Sequence, residues 1–277
     1  LTVDVISPDT ANAGSDFAVC VDTGQIQLTG IPIGSTGFWT GGSIDSTGQF
    51  DATAAGSGVY TFTYSYGEGN CLTTDDVDLT VLNLPNVDAG VDQRICFEDT
   101  ANILASVSGG ITPYSYQWTS LTNIGTLSND TILDPTFILG GDDVLVLTTT
   151  DSFGCVNTDT ISIDSIPLPI VEAGNDTTLC DLPIPFTFSG APSGGQWTGN
   201  GVTSGGVFTS LGTGLYVITY EYTDPVTGCF NEDSLTVNVI SPDTANAGID
   251  FAVCIDTGIV QLTGLPTGST GFWTGGS

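Results

Sequence analysis

Cysteine and aspartate are the residues here whose types and spacing could do chemistry. Seven cysteines stand at 20, 71, 96, 155, 180, 229 and 254. No two are close enough for a CxxC site and the chain has no histidine, so the set lacks the ligand pattern of zinc. Regular spacing of this kind points to disulfides, and hence to an oxidising compartment. Carboxylates number 31 against a single cation, Arg94. General acid–base or oxyanion chemistry would rest on carboxylates alone. A carboxylate pair could serve glycoside hydrolysis, but no acidic pair stands apart from the repeat pattern described below. No catalytic residue is assigned, and an enzyme is not expected.

Two sets of aspartates recur. Asp16, Asp92, Asp176 and Asp250 each lie four residues before a cysteine, while Asp75, Asp159 and Asp233 each lie four residues after one. Ca²⁺ takes six to eight oxygen ligands, which makes the first four aspartates candidate calcium ligands and calcium the one candidate cofactor. The competing reading is that Asp following Gly accepts N–H bonds in a turn. No stretch matches an EF-hand or a calcium-binding nonapeptide. A third signal is Asp followed by Thr or Ser and then a small or apolar residue, at Thr10, Thr100, Thr131, Thr160, Ser165, Ser234 and Thr244. Asn129 and Asn175 fit N-x-Thr. The plainer reading of these sites is β-propensity next to turns.

The elements that must position these residues are repeated. Ala-Gly-x-Asp-x-x-x-Cys occurs at 13–20, 89–96, 173–180 and 247–254. The steps from Cys20 to Cys96, Cys96 to Cys180 and Cys180 to Cys254 have the length of small β-domains rather than of solenoid repeats. A longer period overlies the first: residues 1–43 recur as 235–277 with seven differences. The expected organisation is the last strand of a preceding domain at 1–6, β-sandwiches at 7–82, 83–165 and 166–240, and an incomplete sandwich at 241–277. That is a window on a longer polymer of domains. Strands are read at 25–29, 36–39, 59–66, 76–82, 114–118, 143–150, 160–163 and 214–222 from period-2 alternation. No segment has helical periodicity, and turn signals come every 8 to 12 residues, so the fold class is all-β, tandem sandwiches in a head-to-tail rod. Trp39, Trp118, Trp197 and Trp273 follow the first Cys of each repeat at a nearly constant interval and read as core tryptophans rather than sugar-stacking platforms.

A net charge of −30 repels nucleic acid and anionic lipid, and both are excluded as partners. Hydrophobic residues make up 40% of the chain, enough for packed cores, and no run reaches the length of a membrane span. The absence of lysine rules out Lys–Asn isopeptide cross-links and leaves disulfides as the available staple.

Pro-Tyr-Ser-Tyr-Gln-Trp (113–118), Asp-Ser-Phe-Gly-Cys (151–155) and Thr-Asp-Thr-Ile-Ser-Ile (158–163) resemble the PKD-like repeats of giant Bacteroidetes surface proteins. Gly-Gln-Trp-Thr-Gly-Asn-Gly-Val (195–202), Gly-Leu-Tyr-Val-Ile-Thr-Tyr-Glu-Tyr (214–222) and Gly-Cys (228–229) resemble the Ig-like repeats of the same proteins, among them SprB-type gliding adhesins. The resemblance implies type IX secretion, an extracellular cell-surface location and a role in a long filament or adhesin. The Asp-Thr and Asp-Ser sites resemble the O-glycan acceptor motif of the same phylum. Implied partners are neighbouring repeats of the same chain, with other filaments or surface polysaccharide as further candidates. A carbohydrate-binding adhesive module is the alternative function.

Pairing within each domain is expected: Cys20–Cys71, Cys96–Cys155 and Cys180–Cys229, with Cys254 bonded to a partner outside this sequence. A clamp across each linker competes, because the intervals 71 to 96, 155 to 180 and 229 to 254 are equal. Each interval holds a closing strand, a linker and an opening strand, and extended it spans up to about 80 Å. A disulfide needs Cα atoms within about 7 Å, which favours the pairing inside domains.

Overall fold

The computed structural model describes residues 9–34, 36–254, 256–266 and 271–274; the strand expected at 1–6 lies outside them. The chain divides into two compact units, 1–166 and 167–277. The first holds two sandwiches and the second holds one, followed by residues from 241 onward.

Sandwich 1 consists of β1 (Phe17–Cys20), β2 (Gln25–Gln27), β3 (Phe38–Thr40), β4 (Gln49–Asp51), β5 (Gly58–Tyr66) and β6 (Thr73–Leu82). One sheet runs β1-β6-β5-β3, and β2 pairs with β4 opposite it. Sandwich 2 adds β7 (Pro85–Asp88), β8 (Gln93–Cys96), β9 (Thr100–Asn102), β10 (Ser106–Gly109), β11 (Ser115–Ser120), β12 (Thr126–Leu127), β13 (Thr136–Ile138), β14 (Asp143–Thr150) and β15 (Val156–Ile166). Its main sheet runs β11-β14-β15-β8, beside β12-β13-β9 and the pair β10-β7. Sandwich 3 repeats the plan of the first with β16 (Thr177–Cys180), β17 (Phe186–Thr187), β18 (Gln196–Gly199), β19 (Val207–Phe208), β20 (Gly214–Thr223) and β21 (Phe230–Ile240). There β16-β21-β20-β18 form one sheet and β17-β19 the other.

The strand alternation seen in the sequence is the burial pattern. In β5, Phe62 and Tyr64 point inward, and in β6 Val77, Leu79 and Val81 do the same. They meet Leu28 and Phe50 of the opposite layer. β14 lies between two strands, as its apolar character on both faces requires, with Leu145 and Leu147 fully buried. Trp39, Trp118 and Trp197 are core residues at 4%, 2% and 5% exposure. Each of these rings removes enough apolar surface from water to stabilise its sandwich by a few kcal/mol. Trp39 packs on Tyr64 and Trp197 on Tyr220, with ring centroids 5.1 and 4.8 Å apart. The two tyrosine hydroxyls then donate to the carbonyls of Pro32 and Pro192, each at 2.6 Å. A polar tip satisfied in this way lets the ring stay buried. Trp273, by contrast, is 51% exposed, and the residues from 241 onward contain no named strand among those described.

Helix enters among the described residues as two short turns: an α-turn, Ala52–Ala55, where Asp51 caps the N-terminus by accepting from the Ala54 N–H, and a 3-10 turn, Gly69–Cys71. Both are too short to show a helical period, in keeping with the all-β fold class.

Candidate functional site: the stapled junction between sandwiches

The repeated eight-residue motif is the opening segment of each sandwich, and each of its four fixed residues has a separate task. Its Ala is buried (Ala13, Ala89, Ala173). The N–H of each donates to the aspartate four residues after the second cysteine: Asp75, Asp159 and Asp233, all at 2.8 Å. The Gly follows at φ +95, +99 and +100 in the three sandwiches, a conformation that L side chains rarely adopt. The chain turns there. Just before it, Asn12 pairs antiparallel with Ile31 and Glu172 with Ala191; just after it, the strand pairs in parallel with the last strand of the sandwich. One short segment thus divides itself between two sheets. The motif Asp then accepts a backbone N–H of that last strand: Asp16 from Asp78, Asp92 from Ser162 and Asp176 from Thr236. The recurring aspartates lock the opening strand to the closing strand.

That is the observed work of six of the seven recurring aspartates, and their donors are backbone N–H groups at least 60 positions away rather than those of the turn after Gly. Among the described residues, no group of three or more Cys, Asp or Glu is arranged to hold a metal ion. Asp250 is exposed. Of the Asp-Thr and Asp-Ser sites, Thr10, Thr100, Thr131, Thr160, Ser234 and Thr244 are exposed and Ser165 is half-buried.

The parallel pairing decides where the motif cysteine goes. Cys20 lies opposite Leu82, Cys96 opposite Ile166, and Cys180 opposite Ile240, each at the end of the last strand where the chain leaves the sandwich. The second cysteine precedes that same strand by a residue or two, at the pole where the chain enters. There the Ala11 N–H donates to Thr73 Oγ1, and Thr73 donates to the Asp9 carbonyl. The stretch between the poles is equally long in every case, from 71 to 82, 155 to 166 and 229 to 240. At roughly 3.3 Å per residue the two cysteines of one sandwich are about 36 Å apart.

The expected pairing inside domains is therefore wrong. Cys20 bonds Cys155, with Cα atoms 5.6 Å apart, and the sequence separation is 135. Cys20–Cys71 and Cys96–Cys155 do not form; Cys71 carries a free thiol. Cys180–Cys229 does not form either: Cys180 is free, as is Cys254, whereas Cys96 and Cys229 are each disulfide-bonded. The expectation needs the turn before the closing strand to come near the end of the opening strand, which an antiparallel pair would give. A parallel pair puts them at opposite poles. Nor does the linker clamp from 71 to 96 occur. The constant interval is the closing strand, the linker and the opening strand copied from repeat to repeat.

Cys20–Cys155 joins the exit pole of sandwich 1 to the entry pole of sandwich 2. Only Asn83 and Leu84 separate β6 from β7. Across the junction, Ser57, Gly58 and Leu82 face Gly109, Gly110 and Ile111. Cys155 sits 1% exposed in a turn organised by Asp151. One oxygen of that carboxylate accepts from the N–H groups of Phe153, Gly154 and Cys155; the other accepts from Ile111. Burial pushes the Asp151 carboxyl up, but these four bonds outweigh it and hold the group below its ordinary value. Asp224 plays the corresponding part before Cys229. It accepts from Val226, and its carboxyl is likewise held down, chiefly by that bond. The sequence carries this signal as Asp-x-x-Gly-Cys and Asp-x-x-x-Gly-Cys, a pattern that on its own says no more than turn.

No family model and no curated protein matches the chain. Solved structures that resemble it include Sidekick-1 immunoglobulin domains 1–5, at 15% identity and a TM-score of 0.32, covering 87% of this chain and 60% of that one. The eight N-terminal Ig domains of Down syndrome cell adhesion molecule match at 12% identity and 0.40, covering 84% and 37%. Drosophila N-cadherin EC1–4 matches at 10% and 0.31, covering 85% and 76%. The chain thus spans less than two thirds of either of the first two. Its own strand order and cores make it an all-β chain of tandem Ig-like sandwiches.

Proposed function

We propose that this chain is a structural repeat region of a long extracellular surface filament or adhesin, working as a stalk whose consecutive sandwiches are stapled to one another. The observation that carries the reading is Cys20–Cys155, a covalent bond between neighbouring sandwiches rather than within one. A bond inside a sandwich would stabilise that sandwich. A bond across a two-residue linker restrains bending and passes tension past the linker. Disulfides belong to oxidising compartments, which supports an extracellular location. The charge of −30 keeps neighbouring stalks apart at low ionic strength. Boundaries at 7–82, 83–165 and 166–240, the PKD-like character of the second repeat, surface export and glycosylation at the Asp-Thr sites belong to the same reading.

Small-angle scattering of the purified chain tests it, before and after reduction. An elongated particle is expected, each sandwich adding about 36 Å of strand length, and reduction should broaden the distance distribution without unfolding the sandwiches. A compact globule in the oxidised state would refute the stalk. Specific binding to a glycan array would turn the reading toward an adhesive module.

A further inference from the structure

Cys71 and Cys180 occupy the two kinds of position that the Cys20–Cys155 bond joins, yet both are free and exposed. Cys180 is in register with Ile240 as Cys20 is with Leu82, so it marks the exit pole of sandwich 3. Cys71 precedes β6 as Cys155 precedes β15, so it marks the entry pole of sandwich 1. The bonded entry-pole cysteines, Cys155 and Cys229, are 1% and 0% exposed, whereas Cys71 is open to solvent. The difference is one of covering. In sandwich 2 the entry pole lies against the exit pole of sandwich 1.

We propose that Cys71 and Cys180 are half-staples for sandwiches of this chain's own kind: an exit-pole thiol of the Cys180 type bonds the entry-pole thiol, of the Cys71 type, of the sandwich that follows it. This rests on the stalk reading and gives it a pairing rule, first cysteine of one sandwich to second cysteine of the next. The rule allows no bond inside a sandwich and none between two exit poles. Closure is a two-step exchange with a low-molecular-weight disulfide. One protein thiolate attacks it, forms a mixed disulfide and releases one small thiol. The second protein thiolate displaces the other small thiol, so that two protein thiols are oxidised and one small disulfide is reduced to two thiols.

The repeat provides the test. Residues 1–6 reproduce 235–240 except for Asp4 in place of Asn238. A chain in which a second copy of residues 167–234 precedes Leu1 therefore places sandwich 3 directly before sandwich 1. After equilibration with oxidised glutathione, alkylation and non-reducing peptide mapping should recover the copied Cys180 bonded to Cys71, with alkylation of Cys71 lost. A second chain, with residues 44–82 appended after Ser277, should bond Cys180 to the copied Cys71, so that the proposal does not depend on one graft folding. Free Cys71 in the first chain and free Cys180 in the second, or a bond between two exit-pole cysteines in either, would overturn the pairing rule. The same maps report Cys20–Cys155. If that bond is present while the new ones are missing, only this inference fails; if it too is missing, the stapled stalk fails with it.

Discussion

Replacing Cys20 with Ser should destabilise unit 1 far more than its single lost contact suggests. The bond closes a loop with a sequence separation of 135, and without it the unfolded chain regains the freedom of that loop. In the chain-entropy treatment a loop of this length is worth about 5 kcal/mol at 25 °C, an upper figure because it ignores residual structure in the unfolded chain. The partner left behind adds little cost, since a buried thiol at Cys155 packs as a small apolar group. With a urea m-value of about 2–3 kcal/mol per molar, the midpoint for unit 1 should fall by roughly 2 M. The assay is urea unfolding of the full chain followed by intrinsic fluorescence. Trp39 and Trp118 report on sandwiches 1 and 2, and Cys254→Ser serves as the control because Cys254 is free. A Cys20→Ser midpoint that moves no further than the control would refute the reasoning, by showing that sandwiches 1 and 2 unfold without reference to the bond between them.

Acid should loosen the Cys155 turn. The Asp151 carboxyl is depressed in the folded state, so its contribution is fully present above the unfolded value of about 3.9 and is lost as the pH falls through the lower folded value. Amide exchange at Phe153, Gly154 and Cys155 should accelerate over that window, and Asp151→Ala should accelerate it already at neutral pH. Trp118→Ala should cost about 3–5 kcal/mol in thermal or denaturant unfolding, whereas Trp273→Ala, at an exposed ring, should stay near zero. Gly90→Ala should cost more than about 1 kcal/mol, because a Cβ at φ +99 would meet the Leu104 carbonyl oxygen at 2.7 Å. Arg94 is the only Lys or Arg in the chain and lies in β8, paired with Asp164 in the main sheet of sandwich 2. Trypsin should leave the folded protein intact and cut the reduced, unfolded chain into two pieces.

The strands were legible where alternation ran for several residues, as in β5, β14 and β20, because a half-buried strand must alternate. The short strands were not: β12, β17 and β19 have two residues each, too few to show a period. The three core tryptophans were legible from their recurrence after the motif. The roles within Ala-Gly-x-Asp-x-x-x-Cys were only partly so. Spacing shows that Asp16 and Asp75 recur, but not that Asp16 accepts from the distant Asp78 N–H or that Asp75 accepts from Ala13. The cysteine pairing failed on one missing fact, the parallel direction of β1 against β6. Composition and spacing are the same for either direction, and the direction alone sends Cys20 to the pole away from Cys71.

Disulfide mapping of the native protein, digested by pepsin at low pH to prevent exchange, tests the account most directly. A peptide pair joining Cys20 to Cys155 is expected, with Cys71 recovered as a free thiol. A pair joining Cys20 to Cys71, or Cys96 to Cys155, would contradict it.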